Sequence, residues 1–551
     1  MRAAILLLLI APAYAADWVR IAAPGMELVT DAGEKTGRHL LARFEQIRGV
    51  FRQAGIADSP LPVRIFAFAS ERELRAYRDA SNVHGFYKNG GERDYIALQV
   101  DSDAPRVALH EYVHVVLNHS ALRLPVWFEE GTAEFYSTLD LTGSRLRIGV
   151  PIESHITLLH STSPRWTAQD LGSITVASPR YDSGPFYAES WALVHMLNLS
   201  PAWRDGIAQF VLSLAEEKPP AEAFAQAFGK TLDDAIAALP AYLRSIRPTL
   251  LPGMIEPQPD PRVDPLDPTG SALLRADLAL HLDRHRLARS LIENLPESPQ
   301  TAAGLGGIAL AEGRPSEAQR DFERAIALGS RDASLYFEYA MLHREAGATR
   351  PRVNDLLQKA VDLNPDFADA QFLLGLDDTD RGAYPSAIRR LTEAVRVRPR
   401  RSDYWHALGY AQSKSGDRDA ALRSARRAVA TAANDVQTHM AEALIALAQQ
   451  ETAAPPLKRP AVNTPSSWTN RHGDARVEGT LTRVDCDNPA RLHIEVAPDR
   501  TITLQVHHPD RVELVNAPSP DLQLPCGAQH LRIAVEYLAA ESDVTRIEFQ
   551  R

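Results

Sequence analysis

A chain of 551 residues is too long for one hydrophobic core, and at about 100 to 200 residues per domain it predicts three or four units. Apolar residues at 45% and charged residues at 24% exclude a fibrous or wholly disordered chain. The net charge of −10 argues against general nucleic-acid binding, which needs a basic face.

Residues 1–15 combine a positive start at Arg2, an apolar run through Ile10 and a small-x-small site at Ala13-Tyr14-Ala15. This pattern predicts a cleaved signal peptide and an exported, periplasmic or secreted protein. The run breaks at Pro12, short of the roughly 20 apolar residues a membrane anchor needs. No later stretch is long and apolar enough to span, so no integral membrane segment is expected after cleavage.

The region 16–247 mixes two periodicities. Strand-like runs occupy 18–22, 26–30, 63–68 and 95–100, the last following a Lys88-Asn-Gly-Gly turn signal. Tyr95 to Val100 is read as an edge strand along which an extended peptide can pair. Helix-like runs occupy 33–54, 71–79, 105–119, 125–138, 185–199, 203–216 and 231–246.

Within the third helical run stands His110-Glu111-Tyr112-Val113-His114, opened by Pro105. Positions four apart differ by about 40° and 6 Å, so both imidazoles leave one face and can hold a metal. Glu111 is placed to take a proton from a metal-activated water. A bare motif of this kind arises by chance in roughly a few per cent of such chains. The following helical run, Val126-Trp-Phe-Glu-Glu-Gly-Thr-Ala-Glu-Phe-Tyr136, can deliver a carboxylate that completes a His₂Glu set.

These two segments resemble the gluzincin zinc metallopeptidases, whose third ligand is the glutamate before Gly-x-Ala. The resemblance implies zinc held by His110, His114 and Glu130, with Glu111 as general base. It also implies that Glu134 hydrogen-bonds a ligand histidine. Together with the opening strands, the helix through Leu40 and the run from Phe186, it extends to secreted bacterial peptidase-MA-like domains over 17–247, an α+β zincin-like fold. Tyr187 precedes a helix that in related enzymes carries a residue stabilising the oxyanion during cleavage of a peptide or protein substrate, where a phenol can donate; the alternative is a packing role. Glu129 is the rival third ligand but points about 100° away from Glu130. His119 and His195 lie outside the motif spacing and are read as plain helix histidines.

Repeated prolines make 248–269 a predicted linker, and 453–467 a second one. Between them, over 270–452, Gly313, Gly347, Gly382 and Gly416 recur at intervals of 34, 35 and 34 residues. Small residues follow at Ala318, Ala387 and Ala421, and again at Ala325, Ala394 and Ala428, with Ala360 in the longer unit. This segment resembles tetratricopeptide repeats, an all-α solenoid, with a degenerate unit at 272–296 and a closing helix at 437–450. The resemblance implies binding of a peptide or protein partner. Arg418, Arg423, Arg426 and Arg427 are read as a solvated face.

From 468 to 551 the period changes to two, over six short runs that predict a small all-β barrel or sandwich. The chain's two cysteines, Cys486 and Cys526, both fall there, and export makes a disulfide the first expectation. The competing expectation for the whole chain is a protein-binding scaffold whose first domain is inactive.

Overall fold

The computed structural model describes residues 17–78, 84–142, 145–161, 166–181, 183–252, 260–450, 475–485, 490–497, 500–507, 512–515, 527–538 and 542–550. The predicted signal peptide, the predicted linker 453–467, Cys486 and Cys526 lie outside the described residues. Two compact units are formed, Met1–Ala453 and Ala454–Arg551.

The first unit begins with β1 (Val19–Ala23), β2 (Met26–Thr30), α1 (Glu34–Gln53), β3 (Val63–Phe68), α2 (Glu71–Arg75), β4 (Gly85–Lys88) and β5 (Asp94–Gln99). Next come α3 (Ala104–Asn118), α4 (Val126–Ser137), β6 (Asp140–Thr142), β7 (Arg145–Ile148), α5 (Glu153–Ser161), α6 (Ala168–Ser173) and α7 (Gly184–Leu199). Then follow α8 (Ile207–Ala215), α9 (Pro220–Phe228), α10 (Leu232–Leu243), β8 (Thr249–Pro252) and β9 (Arg262–Pro265). Six strands form one sheet in the order β4-β5-β3-β2-β1-β9. β2, β3 and β5 are parallel neighbours, while β4, β1 and β9 each pair antiparallel.

The segment 95–100 is therefore not an edge. β5 lies between β3 and β4, and β4, too short and mixed to read as a strand from its sequence, forms the edge. The described parts of the proline-rich segment 248–269 form strands rather than linker. β8 pairs with β7, and β9 with β1, each as an outer strand whose last residue is proline, where no ladder donor is needed.

All six residues of β3 are buried. Val63, Ile65 and Ala67 join Leu28, Ile96 and Leu98 beneath α1 and α3. Phe66 and Phe68 face the other way, with Trp18, Val29 and Tyr95, against Ala276, Leu278, Ile292 and Ile308 of the repeat array. A strand covered on both faces reads as a nearly continuous apolar run, and in β3 Arg64 alone interrupts it, paired with Glu27 and Asp277. The array is thus the second layer of this sheet.

That array comprises α11 (Pro268–His281), α12 (His285–Ile292), α13 (Pro299–Ala311), α14 (Pro315–Ala327), α15 (Ala333–Glu345) and α16 (Arg350–Leu363). It continues with α17 (Ala368–Asp380), α18 (Tyr384–Val397), α19 (Ser402–Ser415), α20 (Arg418–Thr431) and the closing α21 (Asp435–Gln450). The hairpin turns pass through Gly313, Gly347, Gly382 and Gly416, all left-handed, with φ from 71° to 89°. Asp283, at φ 58°, takes the same role in the first hairpin, which is why that unit escapes the glycine period. Ala318, Ala360, Ala387 and Ala421 are fully buried where paired helices touch. A cavity of about 680 Å³ remains between array and sheet, with Arg64, Glu92 and Tyr95 on one side and Asp277, Asp332 and Glu338 on the other.

The second unit contains β10 (Ala475–Asp485), β11 (Ala490–Ala497), β12 (Arg500–Val506), β13 (Glu513–Val515), β14 (Gly527–Leu538) and β15 (Asp543–Phe549). Their order, β12-β11-β10-β14-β15-β13, is closed by a parallel contact between β12 and β15. Of the two predicted forms this is a barrel, filled by Leu481, Ile494, Leu504, Ile533 and Ile547. Among the described residues no helix is long and apolar enough to cross a membrane.

Candidate metal centre

Two hydrophobic cores meet where the chemistry-bearing residues lie. α3 belongs to the core beneath the sheet, packing Ala108, Leu109, Tyr112 and Val113 there. α4 and α7 belong largely to a second core, built around Trp127, Phe128, Trp191 and Phe210. Gly131 lets α4 settle on α7, since a Cβ there would stand 2.3 Å from the carbonyl oxygen of Ser190. That close crossing fixes the height of Glu130, one residue earlier.

His110, His114 and Glu130 converge. Nε2 of His114 is 3.1 Å from Nε2 of His110, and Oε2 of Glu130 lies 3.6 Å from Nε2 of His110 and 3.5 Å from Nε2 of His114. Tetrahedral zinc with ligand distances of about 2.0 to 2.1 Å separates its ligands by roughly 3.3 to 3.4 Å. The triangle matches that spacing. Oε2 of Glu130 is buried and, among the described residues, accepts no hydrogen bond, while Oε1 receives one from the Tyr181 hydroxyl at 2.6 Å. A buried carboxylate oxygen facing two imidazole nitrogens is costly without a cation among them, which a protonated histidine or a bound metal supplies. The donor set fits a divalent metal, and two imidazoles with one carboxylate fit zinc.

The surrounding charges have readable causes. Burial opposes protonation of His114, but Glu130, aided by Glu111 and Glu129, outweighs it and raises the imidazole to about 9. Burial would raise Glu130, yet His114, His110 and the Tyr181 hydrogen bond bring it below the usual carboxylate range. Glu111, 9% exposed, is raised by burial, with both histidines pulling the other way.

Oε1 of Glu134 lies 3.5 Å from Nδ1 of His110, a buried nitrogen that has no hydrogen-bond partner among the described residues. Glu134 accepts from Arg106 at 3.0 Å and lies 3.5 Å from Nε2 of His155. Burial would raise Glu134, but His110, His155 and Arg106 together hold it down at about 2. Tyr187 lines the same cleft, its ring centroid 6.4 Å from that of His110.

The rival candidates are engaged elsewhere. Oε1 of Glu129 takes a hydrogen bond from Arg400 of the array at 2.7 Å. His119 pairs with buried Asp94, and His195 contacts the hydroxyl of Tyr242 at 2.6 Å and the carbonyl of Gly149 at 2.9 Å. Tyr181, Arg106, His155 and Arg400 were not legible in the sequence as site residues. Only Arg106 carried a signal, since it precedes His110 by four positions on α3 and shares its face.

No family model and no curated protein matches the chain. Solved structures of tetratricopeptide proteins are similar to part of it. YrrB, described as a TPR protein with an unusual peptide-binding site, is 20% identical over 31% of this chain and 86% of its own, with a TM-score of 0.24. MamA is 21% identical over 30% of this chain and 91% of its own, with a TM-score of 0.25. The hairpin stack itself stands on the helix pairs and left-handed turns described above.

Proposed function

We propose that this chain is an exported zinc-dependent peptidase of the gluzincin type, with a repeat array that engages a partner or substrate protein. The observation that carries the reading is the triangle of His110, His114 and Glu130 around an unpaired carboxylate oxygen. When bound there, zinc supplies Lewis acidity toward a water and the scissile carbonyl. Glu111 accepts a proton from the attacking water and returns it to the leaving amine. Tyr187 donates its hydroxyl hydrogen to the developing oxyanion. β4, whose Gly85, Phe86 and Tyr87 line the cleft, offers its free edge to an extended peptide. Export, and a disulfide between Cys486 and Cys526, belong to the same proposal.

The test has two stages. Purified protein should hold about one zinc per chain, and His114→Ala should lose most of it. Glu111→Gln should keep fold and zinc while cleavage of a broad peptide library falls by at least ~10²-fold. Equal zinc in wild type and His114→Ala, or equal cleavage by Glu111→Gln, would falsify the assignment.

A second reading, a non-catalytic scaffold, is favoured by the array itself, since stacked hairpins form extended binding surfaces. Zinc-loaded protein that cleaves nothing but captures a peptide or protein through the array would select it.

A further inference from the structure

We infer that Arg400, supplied by the repeat array, recognises a carboxylate on the substrate beside the metal centre, an inference that rests on the peptidase reading. The turn between α18 and α19 reaches across to the first domain. Nδ1 of His119 lies 3.1 Å from the carbonyl of Val397, and Arg398 donates to the carbonyl of Gly91 at 3.2 Å. Arg400 goes furthest, donating from Nη2 to the Leu122 carbonyl at 2.8 Å and to Glu129 at 2.7 Å. This sets its guanidinium in the wall of the 340 Å³ cleft that also holds His110, Glu111, His114 and Glu130.

A guanidinium that served only as a strut would spend its donors on the two domains it joins. Here, among the described residues, Nη2 makes both hydrogen bonds of the guanidinium. Nε is buried with no acceptor, and among the described residues Nη1 has none either. Nη1 is thus left with donors for an incoming carboxylate. The other charged side chains lining the cleft, the histidines aside, are Glu111, Glu129 and Glu130. Away from the metal centre itself, Arg400 is therefore the one side chain of this cleft that attracts an anionic group. β4 lines the same cleft through Tyr87, so a peptide paired along that edge passes this arginine.

The carboxylate has two sources, the C-terminus of a peptide or an Asp or Glu side chain near the scissile bond. Zinc-loaded full-length protein should be assayed on matched peptides, free acid against C-terminal amide, and Asp or Glu against Asn or Gln at each flanking position. Wild type should favour one carboxylate-bearing series by about tenfold or more in kcat/KM. Arg400→Gln should erase that ratio mainly through KM, and Arg400→Lys should restore part of it. A strut role predicts instead that Arg400→Gln lowers kcat/KM on all peptides by one factor, and that result, or no preference in wild type, overturns the inference. If wild type cleaves none of the peptides, the peptidase reading falls separately. Binding of the same pairs to wild type and Arg400→Gln then decides the arginine's role, with equal affinity for acid and amide counting against it.

Discussion

The phenolic oxygen of Tyr181 lies 2.6 Å from Oε1 of Glu130 and donates its hydrogen there, which leaves Oε2 turned toward the two histidines. One hydroxyl thus sets which oxygen is available to a cation. Tyr181→Phe removes that hydrogen bond together with the hydroxyl's contact to Tyr187. Zinc affinity should fall about tenfold or more, in the range seen when a partner of a ligand is lost. Competition with a chelator of known affinity measures it, and unchanged affinity would show that packing alone holds Glu130.

Zinc affinity should also depend on pH in a defined direction. His114 is raised to about 9 because nearby carboxylates, Glu130 foremost, outweigh burial. Zinc needs the neutral imidazole, so below that value it must displace a proton. Affinity should rise about tenfold per pH unit toward 9 and level off above. In metal-free protein the same shift stabilises the fold below the ordinary histidine value of about 6.5, and that contribution is lost as pH rises through 9. Titrations at three pH values that give one affinity would contradict this account.

Gly131 should tolerate no side chain. A Cβ would meet the Ser190 carbonyl at 2.3 Å and Val194 at 2.6 Å, and the first of these is backbone that cannot turn aside. Gly131→Ala should therefore cost about 2 kcal/mol or more and displace Glu130, lowering both the melting temperature and the zinc content. A melting curve matching wild type would mean that α4 and α7 can separate freely.

Cutting the chain should give unequal results at two places. Ending it at 453 leaves the first unit whole, and its unfolding should match the same transition in the full chain. Ending it at 247 removes β9 from the sheet and uncovers Phe66, Phe68, Tyr95 and Trp18. That piece should aggregate or fail to unfold cooperatively. Soluble, cooperative material from 16–247 would mean that the array is an accessory to the sheet.

The legible parts of this molecule were those with strong local periodicity. The helices of 105–119 and 125–138, the glycine-punctuated hairpins and the alternating strands of the last segment all write their geometry into neighbouring positions. The candidate ligands followed, because their placement needs only two helices and fixed spacing. What escaped depends on distant pairing. β4 has four residues and acquires its edge position from β5. β9 is extended because β1 lies beside it, although Val19 and Pro265 are far apart in the chain. Arg400 reaches Glu129 only after four helical hairpins have been stacked, so no local pattern could reveal it.

The double burial of β3 also sets a timetable. A polypeptide emerges from the ribosome at about 5 to 20 residues per second, N-terminus first. Phe66, Phe68 and Tyr95 precede their partners Ile292 and Ile308 by about 200 residues, an interval of roughly 10 to 40 s. During that time the nascent sheet shows water an aromatic surface meant for helices not yet made. Until the first repeats arrive that face is one a holding chaperone can grip, and a chain stalled before residue 292 should bind one.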